Sequence, residues 1–141
     1  MPSVRADAAR LLSILVVEDD TDSADTLAYL VRFFGHTVRV AHTPEGALQI
    51  VDGFAPDVIL MDIGLPGLDG YGLAMRLCGL LEHRPLLVAV TGFQGFEERS
   101  RAAGFDCHFM KPYDPCELEK RLEAYADGLI AAIAAGRPAP L

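Results

Sequence analysis

The sequence predicts an open α/β domain, with one sheet of five parallel strands and helices on both faces. Three observations carry that prediction. Short aliphatic runs of strand length alternate with stretches whose apolar residues recur at helical spacing. Three of the five runs are apolar almost throughout, as strands covered on both faces require. Each run also stops at polar residues, and helix-capping residues follow most of them.

In order, Ser13–Val17 is the first run, and it halts at Glu18, Asp19 and Asp20. Thr21 or Asp22 can cap the next helix, which carries Leu27, Leu30, Val31 and Phe34 on one face and stops at Gly35. Thr37–Ala41 alternates Val38 and Val40 with polar neighbours, the pattern of a less buried edge strand. Thr43-Pro44 supplies an N-cap and an N1 proline for a short helix with Ala47, Leu48 and Val51 inward. Asp57–Met61 is the third strand and ends at Asp62, after which Gly64 to Gly70 is loop chemistry. Asp69 can cap a helix with Leu73, Leu77 and Leu81 in line. Leu86–Val90 is a fourth strand ending at Thr91-Gly92, followed by a looser fourth helix around Phe96 to Ala103. Asp106–Met110 is the fifth strand and ends at Lys111-Pro112. Asp114 then caps a fifth helix with Leu118, Leu122, Tyr125 and Leu129 in line.

Composition narrows the function. A chain of 141 residues is sized for one domain, and 51% hydrophobic with 23% charged residues describes a globular one. A net charge of −8 repels nucleic-acid phosphates and anionic lipid, so neither DNA nor membrane is an expected partner. The longest apolar runs are too short to span a bilayer, and Met1 to Arg10 lacks the apolar stretch of a secretion signal. Three cysteines, Cys78, Cys107 and Cys116, show neither a CxxC nor a zinc spacing and read as reduced structural thiols. The expected compartment is the cytoplasm.

Five strands alternating with helices in a chain of this size predict the flavodoxin-like (βα)5 arrangement, a doubly wound sheet in strand order 2-1-3-4-5. Ligands of such sheets bind beyond the carboxyl ends of the strands, near the switch point between strands 1 and 3. At that rim strand 1 delivers Glu18, Asp19 and Asp20, strand 3 Asp62, strand 4 Thr91 and strand 5 Lys111. Carboxylates within ~4 Å of one another repel by roughly 4 kcal/mol per pair at an effective dielectric near 20. A hard divalent cation offsets that, and Mg²⁺ takes one or two carboxylates, a carbonyl and several waters. Lys111 and Thr91 beside it suit a trianionic group built on one carboxylate, so the chemistry implied is phosphoryl transfer to an Asp nucleophile. Taken singly the residues are unremarkable: an Asp after a strand is often a cap, and Thr-Gly is a common turn. Their joint placement carries the reading.

Four motifs then stand in order: Ile14 to Asp20, Val58 to Gly70, Val88 to Gly92, and Lys111-Pro112. Together they resemble the receiver domain of two-component response regulators over about residues 12–126, leaving an N-terminal extension of 1–11 and a C-terminal tail of 127–141. The resemblance implies phosphorylation at Asp62. It implies Mg²⁺, with Mn²⁺ as substitute, on Asp19 directly, on Glu18 through water, on Asp62, and on the carbonyl of Gly64. It makes Thr91 the switch hydroxyl, Lys111 the phosphoryl-pairing lysine, and Lys111-Pro112 a cis peptide. His108 holds the position of the usual aromatic switch residue. Gly64 and Phe93, at the positions that tune phosphoryl lifetime in this family, imply slow intrinsic loss. The implied phosphodonor is a sensor histidine kinase or a histidine phosphotransfer protein. The implied output is a protein target read on the fourth helix, fifth strand and fifth helix. Such a domain is not an enzyme beyond its own phosphorylation and dephosphorylation.

Rival readings are a phosphate shuttle or sink in a phosphorelay and, more remotely, an Asp-nucleophile phosphatase. The phosphatase pattern wants Asp-x-Asp after strand 1, where this chain has Glu18-Asp19-Asp20. A flavodoxin-like nucleotide binder wants a Gly-rich or Ser/Thr-rich loop there, and this one is acidic. Helical spacing continues through Leu129, Ile130 and Ile133, so the tail is expected either to extend the last helix as an apolar docking stripe or to fray after Gly128.

Overall fold

The computed structural model of the chain describes residues 11–63, 70–92 and 104–134, with the backbone alone for 130–134. The elements are β1 (Ser13–Val17), α1 (Thr21–Phe33), β2 (Thr37–Ala41), α2 (Pro44–Ile50), β3 (Val58–Asp62), α3 (Gly70–Leu80), β4 (Leu86–Thr91), β5 (Cys107–Met110) and α4 (Pro115–Ala134). The helix expected at 96–103 lies outside the described residues, so the final helix is α4. All strands are parallel, in the order β2-β1-β3-β4-β5. The doubly wound α/β sheet expected from the sequence is therefore the fold.

Strand alternation sorts the aliphatic residues into two cores. Ile14, Val16, Leu60 and Val88 face α1 and α4, where Leu27, Val31, Leu118 and Leu122 meet them. Leu15, Ile59, Met61 and Leu87 face α2 and α3, against Ala47, Leu73 and Leu77. Each such side chain, fully buried, stabilises the fold by about 1.5–3 kcal/mol. The edge strand β2 exposes Thr37 and Arg39, as its alternating pattern requires.

Polar residues fix where the strands begin and the helices start. Asp57 and Asp106, expected to open strands, stand just before them and accept hydrogen bonds from the backbone N–H groups of Ser13 and Leu87, both at 2.8 Å. Arg84 pairs with Asp106 at 3.1 Å and donates to the carbonyl of Gly104. At α1 the cap is Asp20, whose carboxylate accepts from the N–H of Ser23 at 2.9 Å, and not Thr21 or Asp22 as expected. Thr43 caps α2 through Gly46, also at 2.9 Å, and Asp114 accepts from the N–H of Cys116 ahead of α4. Gly35, at φ 103°, sits just beyond the end of α1 in a conformation that other residues rarely adopt. Leu129 on α4 is buried in the same core as Leu122 and Tyr125. Among the described residues no helix is long and apolar enough to cross a membrane.

Candidate functional site

The strand order makes β1 and β3 neighbours, and their register pairs Val17 with Met61. Glu18 and Asp62 are the next positions on each, so two acids stand side by side at the carboxyl edge. Lys111 follows β5, where its backbone N–H donates to the carbonyl of Thr91 at 2.8 Å. From there its ammonium reaches Glu18 Oε1 at 2.9 Å and Asp62 Oδ2 at 3.1 Å. The Lys111-Pro112 peptide is cis. A cleft of about 320 Å³ opens at the three groups and is lined also by Val17, Asp22, Val90 and Tyr113.

The electrostatics follow from burial. Glu18 is 3% exposed, and that desolvation raises its pKa above the ordinary glutamate value. Hydrogen bonds from Lys111 and from the N–H of Asp20 counteract part of the rise, while the charge of Asp62 adds to it. Burial alone would lower the pKa of Lys111, but its hydrogen bonds and charge pairing with Glu18 and Asp62 outweigh this and raise it. Asp20 is held below the usual aspartate range by the hydrogen bonds of its cap at Ser23. Burial raises the Tyr113 phenol, with the charge of Lys111 opposing.

The remaining candidates are distributed around this trio. Asp19 is adjacent and exposed. Asp20 belongs to the helix cap, so among the described residues the acids that pair with Lys111 are Glu18 and Asp62. Thr91 is wholly buried at the end of β4, beside the strand that carries Asp62. His108 is paired in register with Ala89, on the face of β4 that Thr91 shares by alternation, and its Nε2 is buried. Gly64 and Phe93 lie outside the described residues. Two groups at the site had no signal in the sequence. Tyr113 enters the cleft because it follows Lys111-Pro112, and His42 Nδ1 lies 3.0 Å from the carbonyl oxygen of Glu18.

The donor chemistry fits a hard divalent cation. Glu18 and Asp62 supply two carboxylates, the number Mg²⁺ ordinarily takes from protein while keeping much of its water. Burial raises the pKa of Glu18 in spite of its hydrogen bond from Lys111. Glu18 and Asp62 are the carboxylates that could hold such an ion, and Asp19 is the next residue; among the described residues no three acids, histidines or cysteines gather at metal-ligating distance.

A doubly wound sheet with an acid pair and a lysine gathered at its carboxyl edge defines the class of α/β domains that work at strand ends. The comparisons with known proteins narrow that class. The family profile described as response regulator receiver domain matches residues 14–123. An uncharacterized 14.6 kDa protein from the sodA1 3′ region of Leptolyngbya boryana is 32% identical over 117 residues, covering 81% of this chain and 89% of its own. Response regulator MprA of Mycobacterium tuberculosis is 34% identical over 113 residues, covering 79% of this chain. This chain spans about half of MprA, 49% of its length. Among solved structures, a CheY-like response regulator receiver domain protein from Methanospirillum hungatei superposes with a TM-score of 0.74 at 30% identity, covering 84% of this chain and 95% of that one. The chain belongs to the response regulator receiver domain family of two-component signalling.

Proposed function

We propose that the chain is a phosphorylation-dependent switch that accepts a phosphoryl group on Asp62 from a histidine kinase or a histidine phosphotransfer protein. The observation that carries this reading is the single ammonium of Lys111 shared between Glu18 and Asp62 at the sheet's carboxyl edge. In the proposed step an Asp62 carboxylate oxygen forms a bond to phosphorus. The bond from phosphorus to the donor's nitrogen breaks, and its electron pair leaves with the imidazole. Lys111 holds Asp62 in place beforehand and then pairs with the phosphoryl oxygens, a charge-assisted contact. Glu18 keeps a negative charge beside the ammonium. Thr91, at the end of the next strand, is the hydroxyl suited to donate to the new oxygens. A Mg²⁺ ion held by Glu18, Asp19, Asp62 and the Gly64 carbonyl would neutralise charge on the transferring group.

The output reading is a population shift. A phosphoryl group draws Thr91 inward, and His108, on the same sheet face, follows into the space released. The surface around β5 and α4 then changes for a protein target. Incubation with acetyl phosphate and Mg²⁺ tests the phosphoacceptor. Asp62 is expected to gain about 80 Da, the mass of one phosphoryl group, and Asp62→Asn to gain none. Stoichiometric labelling of Asp62→Asn refutes the assignment.

A further inference from the structure

We infer that His42 is a positioning residue for this site, its Nδ1–H standing in for a strand-ladder bond and holding the Glu18–Asp19 peptide. The inference rests on the reading of that edge as a metal and phosphoacceptor site.

Glu18 is the last residue of β1's edge to be held by β2: its N–H donates to the carbonyl of Ala41 at 3.0 Å. In a parallel ladder of this register the next bond would run from the N–H of Thr43 to the carbonyl of Glu18. Pairing stops at Ala41, because Thr43 turns away to cap α2. Its hydroxyl accepts from Gly46 and its carbonyl from Ala47. The Glu18 carbonyl is met instead by His42 Nδ1 at 3.0 Å. A carbonyl only accepts, so Nδ1 carries the proton.

The consequence falls on the acids. The side chain of Glu18 is tied at both oxygens, to Lys111 at 2.9 Å and to the N–H of Asp20 at 3.2 Å. Asp19 is exposed, and the direction it takes is set by the peptide that joins it to Glu18. His42 grips the oxygen of that peptide. Releasing it frees the peptide to rotate and loosens the geometry of Glu18 and Asp19 together, without touching either carboxylate.

Two measurements test this. In the wild-type chain at about pH 8, ¹⁵N NMR is expected to show His42 as the Nδ1–H tautomer. An Nε2–H tautomer overturns the inference. Isothermal titration with Mg²⁺ then compares two near-isosteres. His42→Leu, which has no donor, is expected to weaken binding about two- to tenfold, the worth of one hydrogen bond. His42→Asn, whose amide nitrogen also hangs on Cγ, is expected to bind within about twofold of wild type. Stability in EDTA, measured alongside, separates this from general unfolding. Equal affinity for Leu and wild type, or equal weakening by Asn and Leu, overturns the positioning role. Wild-type binding that Asp62→Asn leaves unchanged overturns the site reading itself, and the inference with it.

Discussion

Replacing Lys111 with Met removes the ammonium that touches both Glu18 and Asp62 and keeps most of the side chain's volume. Both carboxylate oxygens lie about 3 Å from the ammonium, so they stand no more than about 6 Å apart. At that separation two negative charges repel by roughly 3 kcal/mol at an effective dielectric near 20. Lys111 is 32% exposed, and solvent screens part of both the repulsion and the lost attraction. The expected destabilisation in EDTA at neutral pH is therefore about 1–2 kcal/mol, below the cost of breaking a fully buried pair. The sign of the pH dependence follows from the two shifts. The raised pKa of Lys111 means its contribution is present throughout the range below the ordinary lysine value of 10.5 and is lost only as pH climbs through its higher folded value. The raised pKa of Glu18 means that the native state takes up its proton more readily than the unfolded chain does, so the repulsion vanishes at acid pH. Urea denaturation of wild type and Lys111→Met, with and without Mg²⁺, reads all of this. The deficit should shrink as pH falls towards the ordinary glutamate value of 4.5, and Mg²⁺ should recover part of it. A variant as stable as wild type at pH 7, or a deficit equal at both pH values, would refute the reasoning.

Other outcomes follow from the same geometry. In EDTA, the contribution of Glu18 to stability should fall as pH rises above the ordinary glutamate pKa of 4.5, since Glu18 then loses a proton that the native state binds more readily than the unfolded chain. The difference in stability between Glu18→Gln and wild type should therefore shift in favour of the variant as pH rises in a denaturation series. Asp20→Ala should lower stability, as loss of an N-cap does, yet leave the thermal shift on adding Mg²⁺ unchanged. Asp19→Asn should do the reverse, holding stability but losing most metal-dependent labelling by acetyl phosphate. Truncation after Asp127 removes Leu129 from the core and should cost about 1.5–3 kcal/mol by urea titration, because that side chain is buried under α4.

Much of the architecture was legible because β1, β3 and β4 are nearly unbroken aliphatic runs, and no other element type suits runs so short and so uniformly buried. Boundaries were harder. Three acids in succession after β1 look alike in sequence, and only the bond from Ser23 shows that Asp20 is the cap. Asp57 and Asp106 read as strand openers, yet they tie neighbouring strands through side chains, which periodicity does not register. At the site, Asp62 and Lys111 were found because strand ends converge in a sheet of known order. His42 was not, since its role depends on where β2 stops pairing, a matter of three-dimensional register. Of the acids delivered to that rim, Asp20 caps α1, while Glu18 and Asp62 meet Lys111.

The most direct test of the switch itself is a ¹⁵N–¹H NMR titration with beryllofluoride and Mg²⁺, which together mimic a phosphoryl group on Asp62. Shifts at Asp62 and Lys111 should extend through Thr91 to His108 and onto β5 and α4, and should stop at Thr91 in His108→Ala. Shifts confined to the residues beside Asp62, with Thr91 and His108 unmoved, would contradict it.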